Sequence, residues 1–352
     1  MNVVQETSGT RRPGVWRGFN RWCGRCLENE RFLGYALLAP TILVVLGLIG
    51  YPFLTSFFYS FTNKSIGQDR FTFSRNSTVL TTYIETDADG NEIGRYTVEE
   101  EDKSLFNFVG LDNYIALINE RIYRKAFVNT FNFTVTAVIA KILLGLGMAL
   151  TLHEVKRFRR VFRATFMLPW VMPTSLSVLG WLWMFDPQFS VVTHFLRLLG
   201  LHSWDVSIPW KADPQLAMAS VQVVNIWRGT PFFGMMILAS LMTVPTELYE
   251  AARVDGAGWI QRFWYVTLPF ILPVLFAALL YSFVRTMGDF QIVWILTNGG
   301  PFDSTQLIAT RAYQVAIQGA KETGLGSAVA VSLFPFILPI MVLYLRYLRR
   351  EG

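Results

Sequence analysis

Six long apolar stretches alternate with shorter polar segments along this chain. Their approximate bounds are residues 32–61, 126–152, 161–185, 216–242, 269–296 and 326–345. Each is near or above the length of about 20 residues that a helix needs to cross the hydrocarbon core of a bilayer. The fourth and fifth contain internal Arg, Gly or Pro residues, which interrupt the pattern of a simple lipid-facing helix. The pattern predicts an all-α polytopic membrane protein with about six transmembrane helices.

The longest polar segment, residues 62–125, separates the first two apolar stretches. Residues 81–85 and 93–98 have the composition of strands, and the Asp-Ala-Asp-Gly-Asn sequence of residues 87–91 favours a turn between them. We therefore expect a small β-hairpin in an insertion between helices 1 and 2. The turn is not predicted to bind calcium, because Tyr96 stands where such a loop carries its twelfth-position glutamate.

Composition and charge agree with a membrane protein. The chain is 52% hydrophobic and 16% charged, whereas about 25% of the residues of a soluble domain are charged. The net charge of +6 does not indicate nucleic-acid binding, because the basic residues lie beside the apolar stretches and not on one soluble face.

Candidate metal ligands are few. Cys23 and Cys26 form a Cys-x-x-Cys pair, but no second pair and no nearby histidine would complete a zinc site. His153, His194 and His202 are scattered along the chain. The sequence therefore predicts no metal site, and we interpret the two cysteines as incidental thiols in a polar tail.

Lys and Arg residues are enriched in three segments: residues 1–31, the link between the second and third apolar stretches, and residues 346–352. With six spans these segments fall on one side of the membrane, which the positive-inside rule makes cytoplasmic. Both termini and the link between spans four and five are then inside. The predicted organisation is an N-terminal tail (1–31), a retained first helix without a cleavable signal (32–61), an extracytoplasmic insertion (62–125), a domain of five helices (126–345) and a tail (346–352).

The polar link between the fourth and fifth apolar stretches has the residues that are typical of a short helix. Thr246 is a candidate N-cap, and Glu247 suits the positive end of the helix dipole. Ala251 and Ala252 are strong helix formers with little bulk, which lets a helix sit closely in a groove. Gly256 permits the left-handed turn that ends a helix. The link is predicted to present this helix to another protein.

The spacing of this link resembles a known signature. Glu250-Ala251-Ala252 is followed after three residues by Gly256 and, nine residues later, by Val266-Thr267-Leu268-Pro269. This is similar to the motif of permease subunits of ATP-binding-cassette (ABC) importers, with valine where isoleucine is commoner. Five further segments of this chain resemble the carbohydrate-type permeases of that family: residues 108–114, 129–130, 168–170, 255–258 and 296–301. The likeness runs from about residue 34 onward and is interrupted at residues 63–104.

The resemblance implies a non-catalytic subunit of a larger machine in the bacterial inner membrane. The helix at 246–256 would be the coupling helix, with Glu250, Ala251, Ala252, Asp255 and Gly256 docked in a cleft of a dimeric cytoplasmic ATPase. ATP and magnesium would bind to that partner, since this chain has no phosphate-binding loop and no cofactor of its own. A second permease subunit would form the other half of the pore, and an extracytoplasmic solute-binding protein would deliver the solute.

Charged residues occur inside the fourth and fifth apolar stretches. Arg228, Arg285 and Asp289 are placed at membrane depth, where an ionisable group costs at least about 2.5–3.5 kcal/mol and usually faces a cavity or a partner. Two interpretations stay open for Arg285 and Asp289. They form a neutralising i, i+4 pair, or they line the solute path, where guanidinium donors can bind sugar hydroxyls or an anion.

The resemblance implies further residues of the solute path. In maltose-type members of the family, sugar contacts come from an Asn-x3-Gly-x2-Tyr pattern in the fourth span and from polar positions in the fifth. The positions that match here, together with the intramembrane charges, are Asn225, Arg228, Gly229, Phe232, Ser282, Arg285, Thr286 and Asp289. Trp181, Trp183 and Trp227 could stack on sugar rings, but tryptophans near span ends are more often interface anchors.

The implied function is therefore transport of a carbohydrate: an oligosaccharide, a glycoside or a polyol. Arg285 and Thr286 depart from the maltose pattern, which argues against maltose itself. The alternatives are a glycerophosphate-type permease, in which the arginines would pair with phosphate, and an ion-coupled secondary transporter, in which the 246–256 helix would have no purpose.

Overall fold

A computed structural model describes residues 30–72, 78–86, 92–101, 105–155, 157–201, 203 and 206–351. Several predicted features lie outside these residues: most of the basic N-terminal tail with Cys23 and Cys26, the turn at 87–91, Lys156 in the basic link, and His202.

The chain divides into two units, Met1–Ser56 and Phe57–Gly352. The first unit contains helix α1 (Glu30–Val45), a π-helical turn (Leu46–Gly50) and the start of α2 (Tyr51–Tyr59). Its apolar side chains are largely exposed, for example Leu37 and Leu48. An apolar helix whose side chains are exposed on all sides is suited to contact with lipid.

The second unit holds four strands and most of the helices. The strands are β1 (Arg70–Thr72), β2 (Thr78–Thr86), β3 (Glu92–Glu101) and β4 (Leu105–Asn107). The longer helices are α3 (Asp112–Asn119), α4 (Arg121–Glu154), α5 (Arg159–Val171), α6 (Thr174–Met184), α7 (Val191–Leu198), α8 (Pro214–Leu241) and α9 (Thr246–Val254). There follow α10 (Trp259–Arg262), a π-helical turn (Phe263–Thr267), α11 (Leu268–Met287), α12 (Gln291–Leu296), α13 (Ile308–Tyr313), a further π-helical turn (Gln314–Gln318), α14 (Thr323–Val331) and α15 (Phe334–Glu351).

The described helices provide four to six membrane spans. Four continuous segments are long and apolar enough to cross a bilayer: Gly34–Tyr59, Arg121–Glu154, Trp259–Met287 and Thr323–Tyr347. Two bent pairs, α5 with α6 and α8 with α9, raise the number to six if each pair is one span. The predicted fold class of about six transmembrane helices is confirmed.

The third predicted span, residues 161–185, is not one straight helix. It consists of α5 and α6, which are bent by 91°. Met172 adopts an extended conformation (ψ 141°) directly before Pro173. The proline ring disfavours the helical conformation in the residue that precedes it, which explains the break.

The fifth predicted span, residues 269–296, is also differently bounded. The helix begins at Trp259 and ends at Met287, and Gly288 and Asp289 turn the chain before the short helix α12. An Asp289 carboxylate oxygen accepts a hydrogen bond from the Ile292 backbone N–H (3.2 Å). This contact satisfies a free donor at the start of the new helix, as a helix cap does.

The predicted β-hairpin is present. Strands β2 and β3 pair antiparallel, with Thr81 opposite Val98 and Ile84 opposite Arg95. These strands include both segments that the sequence predicted. A second, smaller sheet pairs β1 with β4 in parallel. The described part of the insertion therefore contains two pairs of strands and not one hairpin alone.

Close packing of α4 against α8 forms the centre of the second unit. A Cβ atom added at Gly145 would lie 2.5 Å from the Cβ of Phe233, and one at Gly234 would overlap the end of Met148. Glycine is therefore required at Gly145, where the two helices approach too closely for a side chain, whereas a side chain at Gly234 would require the flexible end of Met148 to move. This contact fixes how the polar residues of α8 face α4 and α11.

Candidate functional site

A cavity of about 250 Å³ lies between helices α4, α5, α8 and α11 and the turn after α11. Its walls combine basic, polar and aromatic side chains. All eight predicted solute-path residues line it: Asn225, Arg228, Gly229, Phe232, Ser282, Arg285, Thr286 and Asp289. The structure thus brings them together, although their role in transport stays a prediction.

Helical periodicity explains this convergence. Asn225, Arg228, Gly229 and Phe232 are spaced three, four and seven residues apart on α8, and residues at this spacing share one face of a helix. Ser282, Arg285 and Thr286 of α11 follow the same spacing. Two polar faces of otherwise apolar helices therefore meet at the cavity.

Asp289 is held by α8 and not by Arg285. The Asn225 side-chain amide donates a hydrogen bond to one Asp289 carboxylate oxygen (2.7 Å), and the other oxygen accepts from the Ile292 N–H. Of the two interpretations left open for these residues, the i, i+4 pair is not formed, because α11 ends at Met287 and Asp289 is not one helical turn after Arg285. Among the described side chains, Arg285 and Asp289 form no ion pair.

Lys141 of α4 is a cavity residue that the sequence analysis missed. Its side chain is only 3% exposed, and its Nζ donates a hydrogen bond to the hydroxyl of Thr286 (2.9 Å). Gly229 makes room for it, because a Cβ there would lie 2.6 Å from the Cε of Lys141. The missed signal is simple: Lys141 is the one charged residue in the apolar stretch 126–152.

The two arginines of the cavity are less fully engaged. Arg228 donates a long hydrogen bond to the backbone oxygen of Met172 (3.4 Å), while its Nε is buried without a partner among the described residues. The side-chain oxygen of Asn225 is also buried and unpaired there. Both residues line the cavity, although these two atoms lie beneath its surface.

An aromatic wall stands beside these polar groups. The Phe232 ring is stacked on Trp170, with centroids 6.0 Å apart, and contacts Tyr281 at 4.7 Å. Trp170 and Tyr281 line the cavity and were not among the predicted residues. Trp181, Trp183 and Trp227 do not line it; Trp181 and Trp227 pack edge to face, and Trp183 is exposed.

The short helix α9 follows α8 after a bend of 73°. It ends as predicted, since Gly256 has a φ of +77° and the Ala257 N–H donates to the Ala252 oxygen (2.8 Å). The N-cap prediction was wrong. Pro245 occupies the cap position, and Thr246 is the first residue of the helix. No side chain makes a capping hydrogen bond there.

The predicted coupling residues are mostly accessible. Glu250, Ala251, Asp255 and Gly256 are exposed, and Ala252 is half-buried. The Tyr249 hydroxyl forms a hydrogen bond with that of Thr267 (3.0 Å), the last residue of the π-helical turn that leads into α11. The helix is thus tied to the start of α11, while most of its coupling residues are exposed.

Comparisons with known proteins agree on one family. Residues 141–351 match the family described as "Binding-protein-dependent transport system inner membrane component". The chain is 33% identical to the trehalose/maltose transport system permease protein MalF of Thermococcus litoralis over 68% of this chain and 79% of that protein. It is 34% identical to the sulfoquinovosyl glycerol transport system permease protein SmoG of Agrobacterium fabrum over 69% and 78%, respectively.

A solved structure shares the fold. It is a bacterial ABC transporter involved in the import of the acidic polysaccharide alginate, with a TM-score of 0.69, 20% identity, and coverage of 96% of this chain and 98% of that one. Together with the spans and the match over residues 141–351, these findings place the chain in the binding-protein-dependent transport family. It is a multi-pass membrane permease of an ABC importer.

Proposed function

We propose that this chain forms half of the translocation pore for a carbohydrate-derived solute: an oligosaccharide, a glycoside or a polyol. The observation that carries the proposal is the cavity. It joins the aromatic wall of Trp170, Phe232 and Tyr281 to the polar side chains of Asn225 and Arg228. Aromatic faces bind the apolar faces of sugar rings, and the polar atoms can bind their hydroxyls. Relatives named for trehalose, maltose and sulfoquinovosyl glycerol support this assignment.

Energy for transport is supplied by a partner in this proposal. A separate cytoplasmic ATPase binds ATP and magnesium. Helix α9 and the turn that ends it dock into this ATPase through Glu250, Ala251, Ala252, Asp255 and Gly256. A solute-binding protein delivers the solute from outside, and a second permease subunit completes the pore. Both termini of this chain are cytoplasmic, following the distribution of Lys and Arg.

The contacts of α9 suggest how its movement reaches the cavity. Helix α9 continues from α8 and is hydrogen-bonded to the start of α11 through Tyr249 and Thr267. Helices α8 and α11 carry seven of the eight proposed solute-path residues, and Asp289 follows α11 directly. When ATP closes the ATPase dimer, displacement of α9 moves both walls of the cavity together.

A glycerophosphate-type permease is the second candidate. It is favoured by three basic side chains at the cavity, Lys141, Arg228 and Arg285, because phosphate oxygens accept charge-assisted hydrogen bonds from such groups. The chain is also 29% identical to the sn-glycerol-3-phosphate transport system permease protein UgpA of Yersinia enterocolitica, over 69% of this chain and 81% of that protein.

The proposal is tested by reconstitution. The chain is purified with its partner subunits, placed in proteoliposomes with the binding protein, and given labelled glycosides, polyols or amino acids. We expect ATP-dependent uptake of a carbohydrate-derived solute. Uptake that follows an ion gradient without ATP indicates the secondary transporter instead, and ATP-driven uptake of amino acids alone refutes the assignment to carbohydrates.

A further inference from the structure

We propose that the solute carries an anionic group, such as a carboxylate, sulfonate or phosphate ester, which binds between Arg228 and Arg285 in the cavity. The inference rests on the proposed function and adds a charge to the solute class. It derives from the juxtaposition of two guanidinium groups with an aromatic wall and a single carboxylate.

Basic groups outnumber acidic groups around the cavity. Lys141, Arg228 and Arg285 line it, and Asp289 is the one acidic residue among the described lining residues. Asp289 already accepts hydrogen bonds from Asn225 and Ile292, and it can balance one cation at most. An excess of positive charge therefore remains at membrane depth.

Such an excess is unfavourable without a counter-charge. Ionisable groups in a membrane protein are expensive to bury and usually pair with an opposite charge or face water. Within the described residues, the Nε of Arg228 is buried without a partner, and Arg285, whose side chain is exposed at the cavity, forms no hydrogen bond or ion pair. An anionic solute group supplies the missing charge.

Lys141 contributes differently from the arginines. Its Nζ is committed to Thr286, and its side chain is almost fully buried, so it raises the local positive potential without being free to follow a solute. Arg228 and Arg285 project from facing helices α8 and α11 into the same cavity. A guanidinium group can bind two oxygens of a carboxylate, sulfonate or phosphate at once, which an ammonium group cannot.

The aromatic wall shows that the anion is part of a larger molecule. Phe232 lies one helical turn after Arg228 on α8 and is flanked by Trp170 and Tyr281. A ring stacked there would place a substituent within reach of Arg228, which lines the same cavity. A small inorganic anion would leave the aromatic wall unused.

The test compares matched solutes and variants in the complete complex in proteoliposomes. The solutes are a hexose with its hexuronate, a neutral glycerol glycoside with its 6-sulfonate, and glycerol with glycerol 3-phosphate. The comparison uses whichever pair the complex transports. Arg285→Gln should lower kcat/KM for the anionic member of that pair at least tenfold, a loss of about 1.4 kcal/mol in transition-state binding. It should have little effect on the neutral member. Arg285→Lys should restore part of the loss.

Arg121→Gln is the matched control, because Arg121 is exposed at the start of α4 and outside the cavity. It removes the same charge and should change neither member of the pair. Since the binding protein is the same in every assay, a change in the anionic-to-neutral ratio reports on the permease. Arg228→Gln provides an independent second variant if Arg285→Gln does not assemble.

The outcomes separate the two proposals. Equal or better uptake of neutral sugars, with a ratio that Arg285→Gln and Arg228→Gln leave unchanged, overturns the anionic inference and leaves the carbohydrate function intact. Uptake of inorganic phosphate or simple dicarboxylates, without any sugar or polyol derivative, overturns the carbohydrate function while retaining the anion. If glycerol 3-phosphate is the single anion that is transported, the chain is a glycerophosphate-type permease, the second candidate function.

Discussion

At the residue scale, the least replaceable small residue of the cavity is Gly229. A Cβ at this position would lie 2.6 Å from the Cε and 2.8 Å from the Cδ of Lys141. Those atoms belong to the flexible end of a side chain, so Lys141 can move away. Moving it breaks the hydrogen bond to Thr286, so Gly229→Ala should alter transport more than folding.

We therefore predict that Gly229→Ala lowers solute uptake at least severalfold while the complex still assembles and its melting temperature falls by only a few degrees. Gly147→Ala is the control, because Gly147 lies on α4 with no atom near the added methyl group. An alanine in such an open helical position is neutral or stabilising by about 1 kcal/mol. Equal uptake by the two variants would contradict the positioning of Lys141 by Gly229.

The sequence predicted most of the cavity but not all of it. The residues on α8 and α11 were found because a family pattern and intramembrane charges identify them. Trp170 lies in a segment that resembles the family, but the sequence assigned it no role, because its contact with Phe232 depends on how α5 packs against α8. Lys141 could have been found from its charge alone, whereas its bond to Thr286, 145 residues later, requires the fold.

At the element scale, α9 depends on the turn that ends it. Gly256 has a φ of +77°, and nothing lies within 4 Å of an added Cβ, so conformation and not space requires glycine there. The left-handed conformation costs a residue with a side chain about 1–2 kcal/mol. Replacing Gly256 should therefore misdirect the chain between α9 and α10.

We predict that Gly256→Ala reduces ATP-driven uptake strongly while membrane insertion remains normal. The control is Gly200→Ala, because Gly200 has a similar φ of +71° and equally open surroundings after α7. Both variants should lose a similar amount of thermal stability. If uptake falls equally in both, the strain itself is responsible and the docking role of α9 is not supported.

The contact between α9 and the helix leading into α11 gives a finer test. Tyr249→Phe removes the hydroxyl that bonds to Thr267, at a cost of about 0.5–1.5 kcal/mol. We predict more ATP hydrolysed per solute transported, with normal binding of the ATPase. Tyr265→Phe is the control, because Tyr265 is 81% exposed and should leave that ratio unchanged. An unchanged ratio in Tyr249→Phe would exclude this route of transmission.

The element boundaries show what a hydropathy pattern cannot give. The six apolar stretches correspond to helical regions, yet the third is bent by 91° and the fifth ends before Gly288. Pro173 and Gly288 were visible in the sequence as possible breaks, but composition alone does not state which proline or glycine interrupts a helix. Pro40 and Pro339, for comparison, lie inside continuous helices.

At the scale of the whole molecule, orientation in the membrane decides which partners each surface can meet. The Lys and Arg distribution predicts that the 346–352 tail and α9 face the cytoplasm, whereas the hairpin of β2 and β3 faces outward. Thr97 on β3 and Arg349 in α15 are exposed, so each can carry a chemical label. The chain has only two cysteines, Cys23 and Cys26, which makes a cysteine-free background simple to obtain.

We predict opposite labelling of two single-cysteine variants made in a Cys23→Ser, Cys26→Ser background. A membrane-impermeant maleimide added to spheroplasts should label Thr97→Cys and not Arg349→Cys, and inside-out vesicles should show the reverse. Detergent-solubilised protein, in which both sites should react, controls for intrinsic reactivity. Labelling of both variants from the same side would require an even number of crossings between them, whereas six spans place five there. In that case the bent pairs could not each be counted as one span, and α9 would lose its predicted access to a cytoplasmic ATPase.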